Sequence, residues 1–98
     1  MQFEEVVRRT SRGGGLEHAA LGLAAESGEF ANLVKKAKFQ GSGIDIPSMI
    51  RELGDIEWYL EYACQCLGIT RGEIQSVCEE KLRDRHPECF ADKSSPLN

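Results

Sequence analysis

Glu26-Ser27-Gly28-Glu29 is a pair of acidic residues three positions apart, inside residues 16–39, where small and apolar residues recur at helical spacing. Residues three apart share one side of a helix. The recurring positions are Leu16, Ala20, Leu23, Ser27, Phe30, Ala31 and Val34. This pattern predicts a long helix from about Leu16 to about Phe39, with both acids at the margin of its buried face.

Glu52-Leu53-Gly54-Asp55 repeats the acid pair in a second predicted long helix, from about residue 47 to about residue 67. Its apolar stripe consists of Met49, Leu53, Ile56, Leu60, Ala63 and Leu67. An ordinary solvated charge more often lies opposite the core, so two marginal pairs indicate a shared site. Four carboxylates at one point would repel each other without a cation, and Mg²⁺ is the commonest ion that prefers such oxygen ligands.

The rest of the chain predicts two further helices and no strand. Residues 2–12 form a short amphipathic segment that Gly13-Gly14-Gly15 ends, and Thr70-Arg71-Gly72-Glu73 is a capping box for a helix ending near Arg85. A polar tail, residues 88–98, follows. We therefore expect an all-α single domain over residues 1–98, a four-helix bundle with a core at about 16–87, whose two long helices carry the acid pairs.

Composition narrows the class of protein. A chain of 98 residues builds only a modest core, so burial against a second copy is expected. The formal net charge of −4 disfavours binding to a nucleic-acid backbone. The four cysteines form no paired metal motif, the first residues resemble no signal peptide, and no apolar run is long enough for a membrane span. These features predict a cytoplasmic protein with no membrane partner.

Three interpretations of the acid pairs remain open from the residues alone. The acids could be solvated surface charges on a helical interaction module. They could belong to a di-iron bundle, but its Glu-x-x-His motifs are missing, since His18 and His86 lie outside both pairs. They could hold Mg²⁺ or Mn²⁺ for chemistry on a phosphorylated substrate. In that case Lys36, Lys81 and Arg85 are the cations expected to contact phosphate.

Three ordered blocks resemble a known family. They are Leu21-Gly22-Leu23-Ala24-Ala25-Glu26-Ser27-Gly28-Glu29 followed by Lys35-Lys36, then Glu52-Leu53-Gly54-Asp55-Ile56-Glu57-Trp58-Tyr59, then Glu80-Lys81-Leu82-Arg83-Asp84-Arg85-His86-Pro87. Together they resemble the MazG-like nucleotide pyrophosphohydrolases of the all-α NTP pyrophosphatase superfamily. The resemblance implies hydrolysis of a nucleoside triphosphate, (d)NTP, to (d)NMP and pyrophosphate. It also implies a homodimer or a dimer of dimers, and clearance of non-standard or surplus nucleotides.

The resemblance also implies roles for individual residues. Glu26, Glu29, Glu52 and Asp55 match the metal ligands, and Lys81 and Arg85 match the phosphate-contacting cations. We expect Glu29 and Glu52 to be catalytic, with Glu29 orienting the attacking water. Tyr59, Cys78, Trp58 and His18 are weaker substrate-contact predictions. Cys78 stands where the family usually has Asn, so the alternative is a weakly active or non-catalytic nucleotide-binding module.

Overall fold

The computed structural model describes residues 1–91, and within them it contains four α-helices, one short 3₁₀ helix and no strand. The elements are α1 (Phe3–Thr10), α2 (Gly15–Phe39), α3 (Ile46–Leu67), α4 (Arg71–Arg85) and the 3₁₀ helix Pro87–Phe90. The all-α prediction is confirmed, and the predicted limits of α2, α3 and α4 agree closely with these. Most of the predicted tail, residues 92–98, lies outside the described part of the chain.

Local chemistry fixes the helix ends. The Asp45 side chain accepts a hydrogen bond from the Ser48 backbone N–H at 3.2 Å and caps α3. Gly68 ends α3 in the left-handed conformation, with φ of 69°. The Thr70 hydroxyl accepts from the Glu73 N–H at 3.1 Å, as the capping box predicts for α4.

The described chain divides into two compact units. The first, Met1–Gly68, is built on the packing of α2 against α3, with α1 also packed on α3. Its core is small: Val7 from α1, Ala19 from α2 and Tyr62 from α3, with Trp58 and Ala63 packed against them. The second unit begins at Ile69 and contains α4 and the 3₁₀ helix, where the Arg83 guanidinium lies 4.7 Å from the centre of the Phe90 ring.

The residues of the predicted apolar stripes lie on helices, as expected, but the stripes are only partly buried. Val34 on α2 is 43% exposed and Leu53 on α3 is 45% exposed. Ile46 and Ile50 lie two turns and one turn before Leu53, respectively, and are exposed as well. The small residues of α2 instead permit close approach at one point, where the Tyr59 ring packs over Gly22. None of the helices in residues 1–91 has the length and apolar character needed to cross a bilayer.

Candidate metal centre

Three carboxylates converge between α2 and α3. Glu26 comes from α2, whereas Glu52 and Asp55 lie three residues apart on α3. One oxygen from each lies within 4.8 Å of the other two. Glu26 and Glu52 are half-buried and Asp55 is exposed, so the group is partly shielded and open on one side. The packing of the two long helices therefore brings Glu26 together with residues that lie 26 and 29 positions further along the chain.

The electrostatics of this group favour a cation. A hydrogen bond with Glu52 raises the pKa of Glu26, and burial and the charges of Asp55, Glu52 and Glu29 raise it further. One oxygen of Glu52, Oε2, is buried and has no hydrogen-bond partner among the described residues. An orphaned buried oxygen beside crowded carboxylates costs free energy that an oxygen-binding ion would offset. The residues present therefore fit a divalent cation such as Mg²⁺ or Mn²⁺.

Glu29 does not belong to the converging group. It is exposed on α2, and its influence on the site is that its charge raises the pKa of Glu26. Three of the four predicted ligands therefore meet, and the fourth lies outside the 4.8 Å group. Its predicted roles as a ligand and as the residue that orients water stay predictions.

A cleft of about 320 Å³ adjoins the carboxylates. It is lined by Thr10, Glu26, Asp55, Trp58 and Tyr59. The Trp58 and Tyr59 rings meet edge to face with their centroids 4.9 Å apart. An aromatic wall beside a carboxylate group suits a ligand that carries both a flat ring and a cation-binding anion. The predicted substrate contacts Trp58 and Tyr59 are thus placed beside the candidate metal ligands.

His18 packs against two tyrosines of α3. Its ring centroid lies 5.6 Å from that of Tyr59 and 5.8 Å from that of Tyr62, in edge-to-face contacts. Its Nδ1 lies 3.3 Å from the Gly13 carbonyl oxygen. His18 is not among the residues that line the cleft, and its predicted contact with substrate stays a prediction.

Thr10 is a cleft residue that the sequence reasoning missed. Its hydroxyl oxygen accepts a hydrogen bond from Trp58 Nε1 at 2.8 Å, and the hydroxyl donates to the Val6 carbonyl at 2.8 Å. Thr10 ends a short helix and lies 48 positions from Trp58. No periodicity or spacing connects the two, so only the tertiary structure reveals the contact.

Of the three predicted phosphate-binding cations, Lys36 belongs to the first unit, and Lys81 and Arg85 belong to the second. Lys36 is exposed and lines a separate cavity of about 200 Å³, formed at the connection between α2 and α3. In the second unit, Lys81 and Cys78 line an apolar cavity of about 350 Å³ on α4, and Arg85 is exposed in the last turn. Arg83, which was not predicted, forms an ion pair with Glu79 at 3.3 Å. Lys81 and Arg85 have no ion pair within residues 1–91. Their predicted contacts with substrate phosphate stay predictions.

Comparison with known proteins identifies the relationship. Residues 15–90 match the family model described as the MazG nucleotide pyrophosphohydrolase domain. The chain is 31% identical over 75 residues to "Gene 37 protein" of Mycobacterium phage L5. That alignment covers 72% of this chain and 66% of the phage protein, just under two thirds of its length. No solved structure matches the chain.

Proposed function

The chain belongs to the MazG nucleotide pyrophosphohydrolase domain family, and we propose that it hydrolyses (d)NTPs in a Mg²⁺-dependent reaction. Water is consumed, the bond between the α and β phosphates breaks, and (d)NMP and pyrophosphate are released. The observation that carries the proposal is the convergence of Glu26, Glu52 and Asp55, with a buried Glu52 oxygen that lacks a partner. A simple surface charge would not bury an unsatisfied oxygen.

The residues that would hold Mg²⁺, or Mn²⁺ in its place, are Glu26, Glu52 and Asp55, with Glu29 a predicted fourth. When bound, such an ion supplies positive charge that neutralises phosphate oxygens and makes a coordinated water easier to deprotonate. A bound cation would also stabilise the carboxylates, because a hydrogen bond with Glu52, burial and the neighbouring negative charges all raise the pKa of Glu26. Substrate and cation are therefore expected to bind together.

The other roles in substrate binding and catalysis are proposed for the chain's own side chains. Trp58 and Tyr59 offer ring faces and edges to the nucleoside part of the substrate. Glu52 and Glu29 act on the attacking water by accepting its hydrogen bonds. Lys81, Arg85 and Lys36 are the cations proposed to hold phosphate charge as pyrophosphate leaves. Non-standard or surplus nucleotides are the proposed substrates.

We propose that the protein assembles as a homodimer or a dimer of dimers. Ile46, Ile50 and Leu53 follow each other at helical spacing on α3, and their side chains are 56%, 63% and 45% exposed. Their exposure in the single chain leaves an apolar strip beside the acid pair. A second copy would bury this strip and enlarge a core that contains few fully buried residues.

The test is pyrophosphate release from a panel of (d)NTPs with MgCl₂ and with EDTA. Turnover that depends on Mg²⁺ and is lost in Glu52→Gln supports the proposal. Glu17→Gln is the matched control, because it removes an exposed carboxylate from α2 that lies outside the converging group. Full activity in Glu52→Gln would disprove the site assignment.

The alternative is a nucleotide-binding module with little or no turnover, which Cys78 in place of the family's usual Asn favours. Calorimetry separates the two: binding of Mg²⁺ and nucleotide without pyrophosphate release would support the module. Absence of both binding and turnover would exclude the enzyme and the module alike.

A further inference from the structure

The Tyr62 hydroxyl joins two ends of the glycine turn that connects α1 to α2. Tyr62 lies on α3, and its side chain is buried, with 6% of its surface exposed. Its hydroxyl donates a hydrogen bond to the Gly13 carbonyl at 2.7 Å and accepts one from the Gly15 N–H at 3.1 Å. One side-chain oxygen therefore holds the backbone on both sides of Gly14.

The turn itself supplies little rigidity. Gly13, Gly14 and Gly15 have φ values of 91°, 94° and 63°, a left-handed path that residues with side chains avoid. Glycine in such a segment retains many alternatives in the absence of tertiary contacts. The path of the chain between α1 and α2 is thus set by contacts from outside the turn, and Tyr62 makes two of them.

The turn begins three residues after the end of α1. Thr10, the last residue of α1, is three positions before Gly13 and forms part of the cleft wall. Its hydroxyl accepts from Trp58 Nε1, so the helix end is in contact with the aromatic wall. Tyr62 is itself absent from the cleft lining, and α1 lies outside the family match at residues 15–90.

We propose that Tyr62 is a positioning residue whose hydroxyl clamps the glycine turn and thereby holds the end of α1 as a fixed wall of the nucleotide cleft. This inference rests on the proposed function for what enters the cleft. Tyr62 is not one of the carboxylates that converge and does not line the cleft, and its ring packs against Trp58 with the two centroids 5.2 Å apart. Removal of its hydroxyl lowers the fraction of molecules with a complete cleft and so weakens substrate binding, while the chemical step is unchanged.

The first experiment is hydrogen exchange on the full chain carrying Tyr62→Phe, which removes the hydroxyl and keeps the ring. We expect exchange in residues 3–15 to accelerate by about tenfold and emission from Trp58, the single tryptophan, to change. Tyr59→Phe removes a hydroxyl from the neighbouring tyrosine and is expected to leave exchange in residues 3–15 unchanged. Exchange at the wild-type rate in Tyr62→Phe would overturn the proposal.

The second experiment measures kinetics. Tyr62→Phe is expected to raise KM by about tenfold with kcat changed by less than about twofold. A loss confined to kcat would contradict a positioning role through α1. If the wild-type protein shows no turnover, the proposed function is disproved. The hydrogen-exchange experiment alone would then test whether Tyr62 holds the glycine turn.

Thr10→Val also tests whether the position of the end of α1 affects substrate binding. Thr10 lies outside the core, so this variant can be used if Tyr62→Phe does not fold. It removes the acceptor of the Trp58 N–H, whereas Thr10→Ser retains that acceptor and is expected to keep hydrogen exchange in residues 3–15 at the wild-type rate. If both residues act through the end of α1, the fold-increase in KM of the double variant is smaller than the product of the fold-increases of the two single variants. Independent, multiplying effects, or an unchanged KM in Thr10→Val, would overturn the proposal.

Discussion

Gly22 on α2 lies against the ring of Tyr59 on α3 so closely that a Cβ at residue 22 would overlap three atoms of that ring. Glu26 follows Gly22 by four residues, and Asp55 precedes Tyr59 by four. Both pairs lie about one helical turn apart, so this contact between the helices is one turn from Glu26 and Asp55. The absence of a side chain at residue 22 thereby contributes to the convergence of the acids.

Gly22→Ala is expected to destabilise the fold by about 1–3 kcal/mol, because the Tyr59 ring must move or the helices must separate. Chemical denaturation measures the change, and Trp58 fluorescence reports the movement of the adjoining ring.

Gly28→Ala is the matched control on the same helix, because a Cβ at that position meets no atom within 4 Å. It is expected to stabilise the protein by about 0.5–1 kcal/mol through helix propensity. Equal stabilisation in the two variants would contradict the close packing.

Glu26→Gln tests the crowding of the carboxylates. The pKa of Glu26 is raised above its ordinary 4.5 by its hydrogen bond with Glu52, by burial and by neighbouring negative charges. The folded state then binds more protons than the unfolded state, so stability falls as pH rises from 4.5 through the raised pKa. In EDTA, Glu26→Gln is therefore expected to unfold at a higher temperature than wild type at pH 7, and the gap is expected to close below pH 4.5.

Addition of MgCl₂ is expected to make the wild type unfold at the higher temperature at pH 7. The ion stabilises the wild-type carboxylates, whereas the variant lacks one of the ligands. Glu17→Gln, an exposed acid in the first turn of α2, is the control for general charge effects. A wild-type protein that is insensitive to MgCl₂ would contradict a cation site.

Glu29→Gln tests whether the fourth predicted ligand binds the ion. Since Glu29 lies outside the converging group, we expect calorimetry to show a smaller loss of Mn²⁺ affinity than in Glu52→Gln. The loss in Glu52→Gln is expected to exceed the roughly 10- to 100-fold that removal of an outer-shell partner causes. Equal losses would place four carboxylates on the ion. A fall in kcat with little loss of affinity would support Glu29 as the residue that orients water.

Ile50→Glu tests the proposed assembly. Ile50 is 63% exposed in the single chain, so the substitution is not expected to disrupt the fold of one copy. A buried, unpaired charge at an interface would dissociate it, and light scattering after size exclusion should show a monomer. Ser42→Glu in the exposed connection between α2 and α3 is the control. A monomeric wild-type chain would disprove the assembly.

Thr70→Ala tests the helix cap. Loss of the hydroxyl that accepts from the Glu73 N–H is expected to cost about 1 kcal/mol and to accelerate hydrogen exchange in the first turn of α4. Thr70→Ser keeps the acceptor and is expected to retain wild-type protection. Unchanged exchange in Thr70→Ala would show that the cap is dispensable.

Local patterns in the sequence determined the elements. Helix positions depend on signals that act over a few residues and can therefore be read from the sequence. These signals are the apolar periodicity of residues 16–39 and 47–67, the caps at Asp45 and Thr70, and Gly68. The two acid pairs were visible in the same way, as were their positions at the margins of the stripes. The family resemblance came from the order of the three blocks, and the match at residues 15–90 confirms it.

Tertiary structure alone decided which of these residues meet. Glu26, Glu52 and Asp55 converge beside the contact of Gly22 with Tyr59, and Glu29 lies outside their group. The contact of Trp58 with Thr10 and the two bonds of Tyr62 to the glycine turn join residues 47–49 positions apart. Such contacts depend on how helix faces pack, and no spacing along the chain encodes that.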